Sequence, residues 1–183
     1  MASTAEGSPE GVRRRDWIHI AAISTAGVGG ASVLFPLVSQ MAPSKDVLAA
    51  STTDVDISSL EPGQSVKTSF RDQPLFVKRM SEKEMTEVAE VDPSTLRDPA
   101  TLEERLGENN AEGILVQLGV CTHLGCVPLG AGEGESKGEF DGYFCPCHGS
   151  HYDAAGRIRK GPAPKNLEVP EFAFTSESTI RVG

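Results

Sequence analysis

Two short segments carry the side chains best suited to binding a metal. All four cysteines of the chain lie within 27 consecutive residues. The first segment, residues 121–126, is Cys-Thr-His-Leu-Gly-Cys, and the second, residues 145–152, is Cys-Pro-Cys-His-Gly-Ser-His-Tyr. Each segment therefore offers one Cys and one His to a shared site and keeps one further Cys. Clustered cysteines with nearby histidines indicate a metal site, a disulfide or both.

Three kinds of site without iron fit these segments less well. A structural zinc site with two Cys and two His normally uses one Cys-x-x-Cys arm and one His-x-x-x-His arm, whereas each segment here mixes the two residue types. A pair of structural disulfides would leave two histidines in glycine-rich turns without a purpose. A redox-active pair normally has Cys-x-x-Cys spacing, which is not found in this sequence. The mixed segments favour a two-iron cluster in which one iron takes two thiolates and the other takes two imidazoles.

In these two motifs the sequence closely resembles the Rieske protein family, whose centres are bound by two cysteines and two histidines. The resemblance implies one Rieske-type 2Fe-2S cluster, with the cysteines on the inner iron and the histidines on the outer one. The implied ligands are Cys121, His123, Cys145 and His148. The resemblance also implies a disulfide between Cys126 and Cys147 that ties the two loops together.

The resemblance assigns a tuning role to two hydroxyl groups of the second segment. It implies that Ser150 donates a hydrogen bond to a bridging sulfide and that Tyr152 donates one to the Cys121 sulfur. Such donors raise a cluster's potential because they stabilise the added electron. A Ser or Tyr in a glycine-rich loop can also be an ordinary turn or packing residue.

The resemblance also predicts a face that contacts the substrate. It implies that His148 is the hydrogen-bond partner of a quinol, a choice over His123 that residue types alone do not make. Leu124 and Pro162 are expected at an apolar docking rim, the latter within a stiff Gly-Pro-Ala-Pro segment. His151 is interpreted as a non-ligand residue near the surface.

Short β-type runs separated by Gly and Pro turns occupy most of the chain from Thr52 onward. This pattern favours a mostly antiparallel β architecture. With the resemblance, it predicts a mainly β, Rieske-type antiparallel β-sandwich head that contains a small cluster-binding part at about residues 114–170. The predicted strands are 65–70, 74–79, 114–120, 143–144, 172–175 and 179–182.

Residues 81–110 are predicted to form a helical, acidic insertion in the β head. Ser81 and Glu84 fit a capping box. Asp98 is predicted to cap a second short helix, which has a proline at its first position and ends before Gly107. The charges of the insertion are expected to keep its outer face solvated.

An N-terminal segment is long enough to cross a membrane. Between Ile18 and Val38 there is no Asp, Glu, Lys or Arg. As a helix this stretch would cover roughly 30 Å, the hydrocarbon thickness. We expect a single transmembrane anchor at 18–40, a flexible tether or hinge at 41–51 and the head at 52–183. The alternative is a cleaved signal, whose apolar core would normally be about 7–15 residues long.

The three arginines at 13–15 bear on orientation and export. They favour a cytoplasmic N-terminus at 1–17, which places the head across the membrane. Together with the following Asp and Trp, they also look like a twin-arginine (Tat) export signal.

The bulk charge and the resemblance together indicate a function. The net charge of −9 speaks against nucleic-acid binding, which needs a basic surface. The resemblance is to the Rieske subunits of ubiquinol–cytochrome c reductase, the bacterial cytochrome bc complex. It implies one-electron, proton-coupled oxidation of ubiquinol and electron transfer to cytochrome c1, with cytochrome b and cytochrome c1 as partners. It further implies a dimeric complex in the bacterial inner membrane, with the head on the periplasmic side.

Three rival assignments share some of these sequence features. The nearest of them is the exported Rieske subunit of another oxidoreductase, such as an arsenite oxidase. A soluble Rieske ferredoxin or oxygenase component would lack the second cysteine pair, the Ser and Tyr donors and the anchor. A zinc-stabilised binding module would be colourless and redox-silent.

Overall fold

The computed structural model describes residues 13–49, 51–107, 110 and 112–183 of the 183-residue chain. Residues 1–12 of the predicted cytoplasmic segment and Ala50 of the predicted tether lie outside the described residues. The chain divides into two compact units, Met1–Lys45 and Asp46–Gly183.

The first unit contains one long apolar helix, α1 (Arg14–Ser39). Its first turn is stabilised by Asp16, whose carboxylate accepts a hydrogen bond from the Arg13 amide at 2.9 Å. Among the described residues it is the one helix long and apolar enough to cross a membrane, with a mean hydropathy of 1.7. A signal sequence would meet the same criterion. The structure thus provides a candidate membrane anchor at the expected place.

A short helix, α2 (Lys45–Ala49), lies within the segment predicted to be a tether. The sequence does not predict this helix, because the segment lacks a hydrophobic repeat. A five-residue helix has little stability of its own, since most of its backbone groups lack partners inside the helix. The flexibility predicted for residues 41–51 stays a prediction.

In the described part of the head there are nine antiparallel strands in three small sheets. The strands are β1 (Thr53–Asp56), β2 (Ser65–Phe70), β3 (Gln73–Arg79), β4 (Ile114–Leu118), β5 (Asp141–Cys145), β6 (Ser150–Asp153), β7 (Ile158–Lys160), β8 (Phe172–Ser176) and β9 (Thr179–Val182). The sheet orders are β1-β9-β8, β2-β3-β4 and β5-β6-β7. The mainly β class expected from the sequence is confirmed.

The predicted hairpin formed by β2 and β3 is present, with a tighter turn than expected. Arg71 and Asp72 have φ angles of 50° and 60°, so both are left-handed. Two such residues between paired strands match the right-handed twist of the hairpin. The register that follows sets Thr68 opposite Leu75 and Lys67 opposite Phe76.

Strand β3 contributes side chains to two of the hydrophobic cores of the head. Leu75 and Val77 are fully buried in the core formed with the β1-β9-β8 sheet. Between them, Phe76 points to the opposite face and stacks on Tyr143, with ring centroids 5.6 Å apart. That second core also contains Cys121 and Cys145. The central strand therefore supports the predicted metal-binding part directly.

The insertion between β3 and β4 is helical, as predicted, but one of its caps differs. It contains α3 (Glu82–Ala89), a 3₁₀ turn at Pro93–Thr95 and α4 (Leu102–Leu106). The Ser81 capping box is present. The prediction that Asp98 caps the second helix is wrong, since Thr101 forms that cap. The Asp98 carboxylate instead accepts a hydrogen bond from the amide of Asn166, which the sequence could not place nearby.

One acid of the insertion is not on a solvated face. Glu84 forms an ion pair at 2.6 Å with Lys78 of β3, and both side chains are nearly buried. The expectation that the acidic charges only keep the surface solvated is therefore wrong for this residue. The partner of Glu84 lies on a different element, and the local sequence does not show that the two side chains meet.

Candidate metal centre

Two glycine-containing loops present the predicted ligands. In the first, which follows β4, the Cys121 amide donates to the Cys126 carbonyl at 2.7 Å, and the Gly125 amide donates to the Cys121 carbonyl at 2.9 Å. In the second, between β5 and β6, the Gly149 amide donates to the Cys145 carbonyl at 3.0 Å. Gly125 and Gly149 have φ angles of 80° and 74°, a conformation that glycine adopts without strain. Both loops are therefore tight, closed turns.

The two loops are joined covalently. A disulfide links Cys126 to Cys147, as the resemblance implied. The remaining cysteines, Cys121 and Cys145, are free thiols, each only 2% exposed. The Cys145 sulfur lies within 4.8 Å of both sulfurs of the disulfide. Because disulfide sulfurs are not thiolates, Cys126 and Cys147 are not suitable ligands in this state.

The histidines of the two loops face each other at the outer side of the site. The ring centroids of His123 and His148 are 4.7 Å apart, with the rings nearly perpendicular at 88°. His148 is exposed, whereas His123 is partly buried. The structure thus places two buried thiols inward and two neighbouring imidazoles outward.

One imidazole nitrogen of the site is buried without a hydrogen-bond partner among the described residues. His123 Nδ1 is buried and makes no hydrogen bond within the described part of the chain. A buried polar atom without a partner costs roughly 1–3 kcal/mol, so native structures rarely leave one. A metal ion bound at Nδ1 would remove that cost. The donor set of two thiols and two imidazoles fits the iron ligands of a Rieske centre.

The cysteine chemistry agrees with metal binding. Burial raises the pKa of the Cys145 thiol, so this group holds its proton at neutral pH. A metal binds the thiolate, and binding there would therefore release a proton.

The Tyr152 hydroxyl is oriented toward a predicted ligand. Tyr152 Oη lies 3.3 Å from the Cys121 sulfur and accepts a hydrogen bond from the Thr122 amide at 3.4 Å. Burial raises the pKa of this phenol, which therefore keeps its proton. Because a backbone amide occupies one lone pair of the oxygen, the phenol proton is free to point at the sulfur.

The Ser150 hydroxyl is arranged in a similar way. Ser150 is 1% exposed, and its Oγ accepts a hydrogen bond from the Ala163 amide at 3.2 Å. The oxygen thus has a donor, and its own proton remains available for another acceptor. Both residues predicted to tune the site are held by backbone amides from outside the second loop.

The predicted docking residues are exposed, and so is a further apolar side chain that follows the first motif. Leu124 is 71% exposed and Pro162 is also exposed. Val127, which the sequence reasoning missed, is 51% exposed. Its position one residue after the first motif was the available signal. Single exposed apolar side chains are common on protein surfaces, so the docking role of these residues stays a prediction.

His151, interpreted as a non-ligand residue, contacts the protein through both its nitrogen and its ring. His151 is half-buried, and its Nδ1 accepts a hydrogen bond from the Glu139 amide at 3.2 Å. Its ring packs against Phe144, with centroids 4.7 Å apart.

Thr122 supports the first loop in a way that the sequence does not indicate. Its amide donates to Tyr152, and its hydroxyl donates to the Lys165 carbonyl at 2.6 Å.

Comparison with known families finds two matches along the chain. Residues 51–173 match the "Rieske [2Fe-2S] domain" family. Residues 4–44 match the family described as "Ubiquitinol-cytochrome C reductase Fe-S subunit TAT signal".

Individual proteins are similar over nearly the whole chain. The ubiquinol-cytochrome c reductase iron-sulfur subunit of Rhodospirillum rubrum is 47% identical over 182 residues, which cover 100% of this chain and 96% of that protein. The subunit of the same name from Rhodobacter capsulatus is 44% identical over 186 residues, covering 93% and 95%. A chain of a hyperthermophilic respiratory Complex III structure aligns with a TM-score of 0.49 and 27% identity, covering 89% of this chain and 98% of that one.

Proposed function

Because the chain belongs to the Rieske family and, within it, to the iron–sulfur subunits of ubiquinol–cytochrome c reductase, we propose that its head carries electrons from ubiquinol to cytochrome c1 in a bacterial respiratory chain. Its relatives are subunits of an oxidoreductase. The observation that carries the proposal is the pairing of two buried thiols with two facing imidazoles across a disulfide-linked pair of loops.

The head would hold one Rieske-type 2Fe-2S cluster between its two loops. The proposed ligands are Cys121, His123, Cys145 and His148. His123 Nδ1, which has no hydrogen-bond partner among the described residues, supports this set, since a ligand position gives that buried atom a partner. When bound, such a cluster accepts and passes on one electron at a potential raised by its two histidine ligands.

The chain's own residues would bind the quinol and handle its proton. An imidazole that ligates through one nitrogen keeps the other for a hydrogen bond or a proton. His148 is the exposed one of the two histidines and is therefore the proposed partner of the quinol hydroxyl. Leu124 and Pro162 would form the apolar rim that excludes water from that contact.

The proposed topology follows from the N-terminal unit. Helix α1 would anchor the chain as a single-pass span at about 18–40, and the arginines at 13–15 would keep the N-terminus cytoplasmic. Residues 41–51 would act as the hinge of the head at 52–183. The disulfide fits an oxidising periplasm. The partners would be cytochromes b and c1 in a dimeric complex of the inner membrane.

The match of residues 4–44 to a family described as a Tat signal supports folded export of the head. The relatives from Rhodospirillum rubrum and Rhodobacter capsulatus are both named as reductase subunits, which favours this assignment over a subunit of arsenite oxidase.

Low-temperature EPR of the reduced protein in its membrane is the direct test. We expect a Rieske signal that changes when a quinone-site inhibitor is added. His148→Ala should abolish the signal, since it removes a ligand. His151→Ala, which removes a histidine from the same loop region, should retain it.

Two results would contradict the proposal. One is purified protein that contains zinc and no iron. The other is a His148→Ala variant that keeps the full signal, which would exclude that ligand.

A further inference from the structure

A segment with two prolines lies against both metal-binding loops. Residues 161–166, Gly-Pro-Ala-Pro-Lys-Asn, form what we call the proline loop. Its two prolines have no amide hydrogen, so the segment cannot hold itself by a backbone ladder. Its carbonyls and remaining amides must find partners on other elements. Those partners determine where the loop lies.

On the inner side, the proline loop holds the groups that position the hydroxyl donors. The Ala163 amide donates to Ser150 Oγ at 3.2 Å. The Thr122 hydroxyl donates to the Lys165 carbonyl at 2.6 Å and accepts from the Lys165 amide at 3.3 Å. Thr122 in turn supports Tyr152 through its own amide. A shift of the loop would therefore alter both donors.

On the outer side, the loop's carbonyls are bound by one guanidinium of the insertion. Arg97 Nη1 donates to the Gly161 carbonyl at 2.5 Å and to the Ala163 carbonyl at 2.7 Å. Hydrogen bonds from a charged donor are stronger than neutral ones. Gly161 also leaves no space for a Cβ beside the Gly149 carbonyl, so the loop packs directly on the second metal-binding loop.

Asp98, which follows Arg97 in the insertion, binds the last residue of the proline loop. Asp98 Oδ2 accepts from the Asn166 amide at 2.8 Å, and the Asp98 carbonyl accepts from Asn166 Nδ2 at 3.0 Å. Asn166 is 8% exposed, and its Oδ1 accepts from the Ile158 amide of β7 at 2.9 Å. Asp98 thus links the insertion, the loop and the cluster-binding sheet.

We propose that Arg97 and Asp98 are positioning residues that clamp the proline loop and thereby fix the hydrogen-bond donors of Ser150 and Tyr152 at the cluster. This gives the helical insertion a role in the redox chemistry, although it supplies no ligand. The inference rests on the proposed cluster and extends it to residues outside both motifs.

Opposite charges at the two positions make the test decisive. If Arg97 and Asp98 acted only through their charge, Arg97→Gln would lower the midpoint potential and Asp98→Ala would raise it. If they act by positioning, both variants loosen the same loop and both lower the potential. We expect the equilibrium constant for reduction to fall in each case by up to about tenfold, equal to about 59 mV for one electron.

A double-mutant cycle identifies the route. Arg97 binds the Ala163 carbonyl, and the Ala163 amide donates to Ser150, so part of the effect of Arg97→Gln should be lost in a Ser150→Ala background. Arg97→Lys keeps a donor for the two carbonyls and should restore most of the potential. The matched control is Arg181→Gln, which breaks a bidentate pair with Asp54, at 2.7 and 2.8 Å, in another sheet. It should leave the potential unchanged.

Amide hydrogen exchange gives a second readout on the same full-length protein. Exchange at Ala163 and Lys165 should become faster in Arg97→Gln and Asp98→Ala, and not in Arg181→Gln. If a variant does not take up iron, Asp98→Asn replaces it as the test, because it removes the charge and keeps oxygen acceptors for Asn166. Positioning predicts a potential near that of the wild type in Asp98→Asn, whereas an effect of charge alone predicts a raised potential.

The outcomes are distinct. Shifts of opposite sign in Arg97→Gln and Asp98→Ala, an unchanged potential in both of them, or full additivity of Arg97→Gln with Ser150→Ala would overturn the inference. A wild-type protein without a Rieske signal would overturn the proposed function instead.

Discussion

At the residue scale, backbone amides decide where two buried hydroxyl protons point. Ser150 and Tyr152 each accept from an amide of a different segment, at 3.2 and 3.4 Å. A hydroxyl whose oxygen already accepts one strong donor can direct its proton elsewhere. For Tyr152 the nearest other acceptor is the Cys121 sulfur at 3.3 Å. The loops therefore supply donors of fixed orientation to the candidate centre.

Removing either hydroxyl should lower the midpoint potential. We expect Ser150→Ala and Tyr152→Phe each to lower it by tens of millivolts, roughly a several-fold change in the reduction equilibrium. Quinol oxidation should slow accordingly. The measurement is a redox titration followed by EPR.

Tyr143→Phe is the matched control for Tyr152→Phe. Tyr143 lies in the same buried core, but its hydroxyl has no hydrogen-bond partner among the described residues. Tyr143→Phe should therefore leave the midpoint potential unchanged. Equal potentials in wild type and both donor variants would show that the hydroxyls are only packing groups.

At the element scale, a buried ion pair fastens the insertion to the central sheet. Lys78 of β3 and Glu84 of α3 are 3% and 9% exposed, and their charged atoms are 2.6 Å apart. The Glu84 carboxylate also accepts from the Ser81 amide at 3.0 Å. Breaking such a pair is costly because the remaining charge stays buried without a partner.

Glu84→Gln should destabilise the protein strongly. We expect a loss of about 3–5 kcal/mol of unfolding free energy, as for other buried pairs that lose one partner. The check is chemical denaturation followed by circular dichroism. Glu87→Gln, on the same helix, is the control. Its pair with Lys83, at 3.5 Å, is exposed, so its effect should stay below about 0.5 kcal/mol.

The same pair gives the protein an acid sensitivity. Burial alone would raise the pKa of Glu84, but the hydrogen bonds from Lys78 and Ser81 outweigh it and lower the pKa below 4.5. A lowered pKa in the folded state means stability that is present above pH 4.5 and lost as the pH falls through the folded value. The stability gap between wild type and Glu84→Gln should therefore narrow below about pH 4.5. A gap independent of pH would contradict this.

The disulfide is the covalent link between the two metal-binding loops. Replacing both Cys126 and Cys147 by Ser should cost about 3 kcal/mol of unfolding free energy, because the closed loop restricts the unfolded chain. The loops would also separate more readily, so iron should be lost faster on dilution into chelator. A cluster equally stable in the variant and the wild type would exclude this role.

At the scale of the whole molecule, the chain combines an apolar N-terminal helix with a β head. The segment between them, residues 41–51, contains α2 and is the proposed hinge. An electron carrier that serves two partners on one tether needs the tether to change conformation. The rate of turnover should therefore depend on the stiffness of this segment more than on its side chains.

Val47→Pro combined with Leu48→Pro should cut turnover while the cluster's EPR signal stays intact. Proline fixes its own φ and restricts the residue before it, so the segment loses conformations. The control is Val47→Ala with Leu48→Ala, which removes the same side chains and leaves the backbone free. Turnover at the wild-type rate in the proline variant would show the segment to be a passive linker.

Much of the fold was predictable where the interactions are local. The Ser81 capping box and the β2–β3 hairpin depend on residues within a few positions of each other, and both are present. The predicted cap of α4 is wrong because Asp98 bonds to Asn166, 68 residues away. The predicted exposure of Glu84 is wrong for the same reason, since its partner lies on another element.

The sequence by itself determined the family, because two short motifs carry the resemblance, and that resemblance in turn implied the candidate ligands and the disulfide. Only the tertiary structure decided how the donors around those ligands are held. The contacts of Arg97 and Asp98 with the proline loop and the role of Thr122 join distant segments of the chain. The burial of His123 Nδ1 likewise results from folding. Hydrogen bonds act over about 3 Å, and no local pattern reveals which distant groups folding brings within that distance.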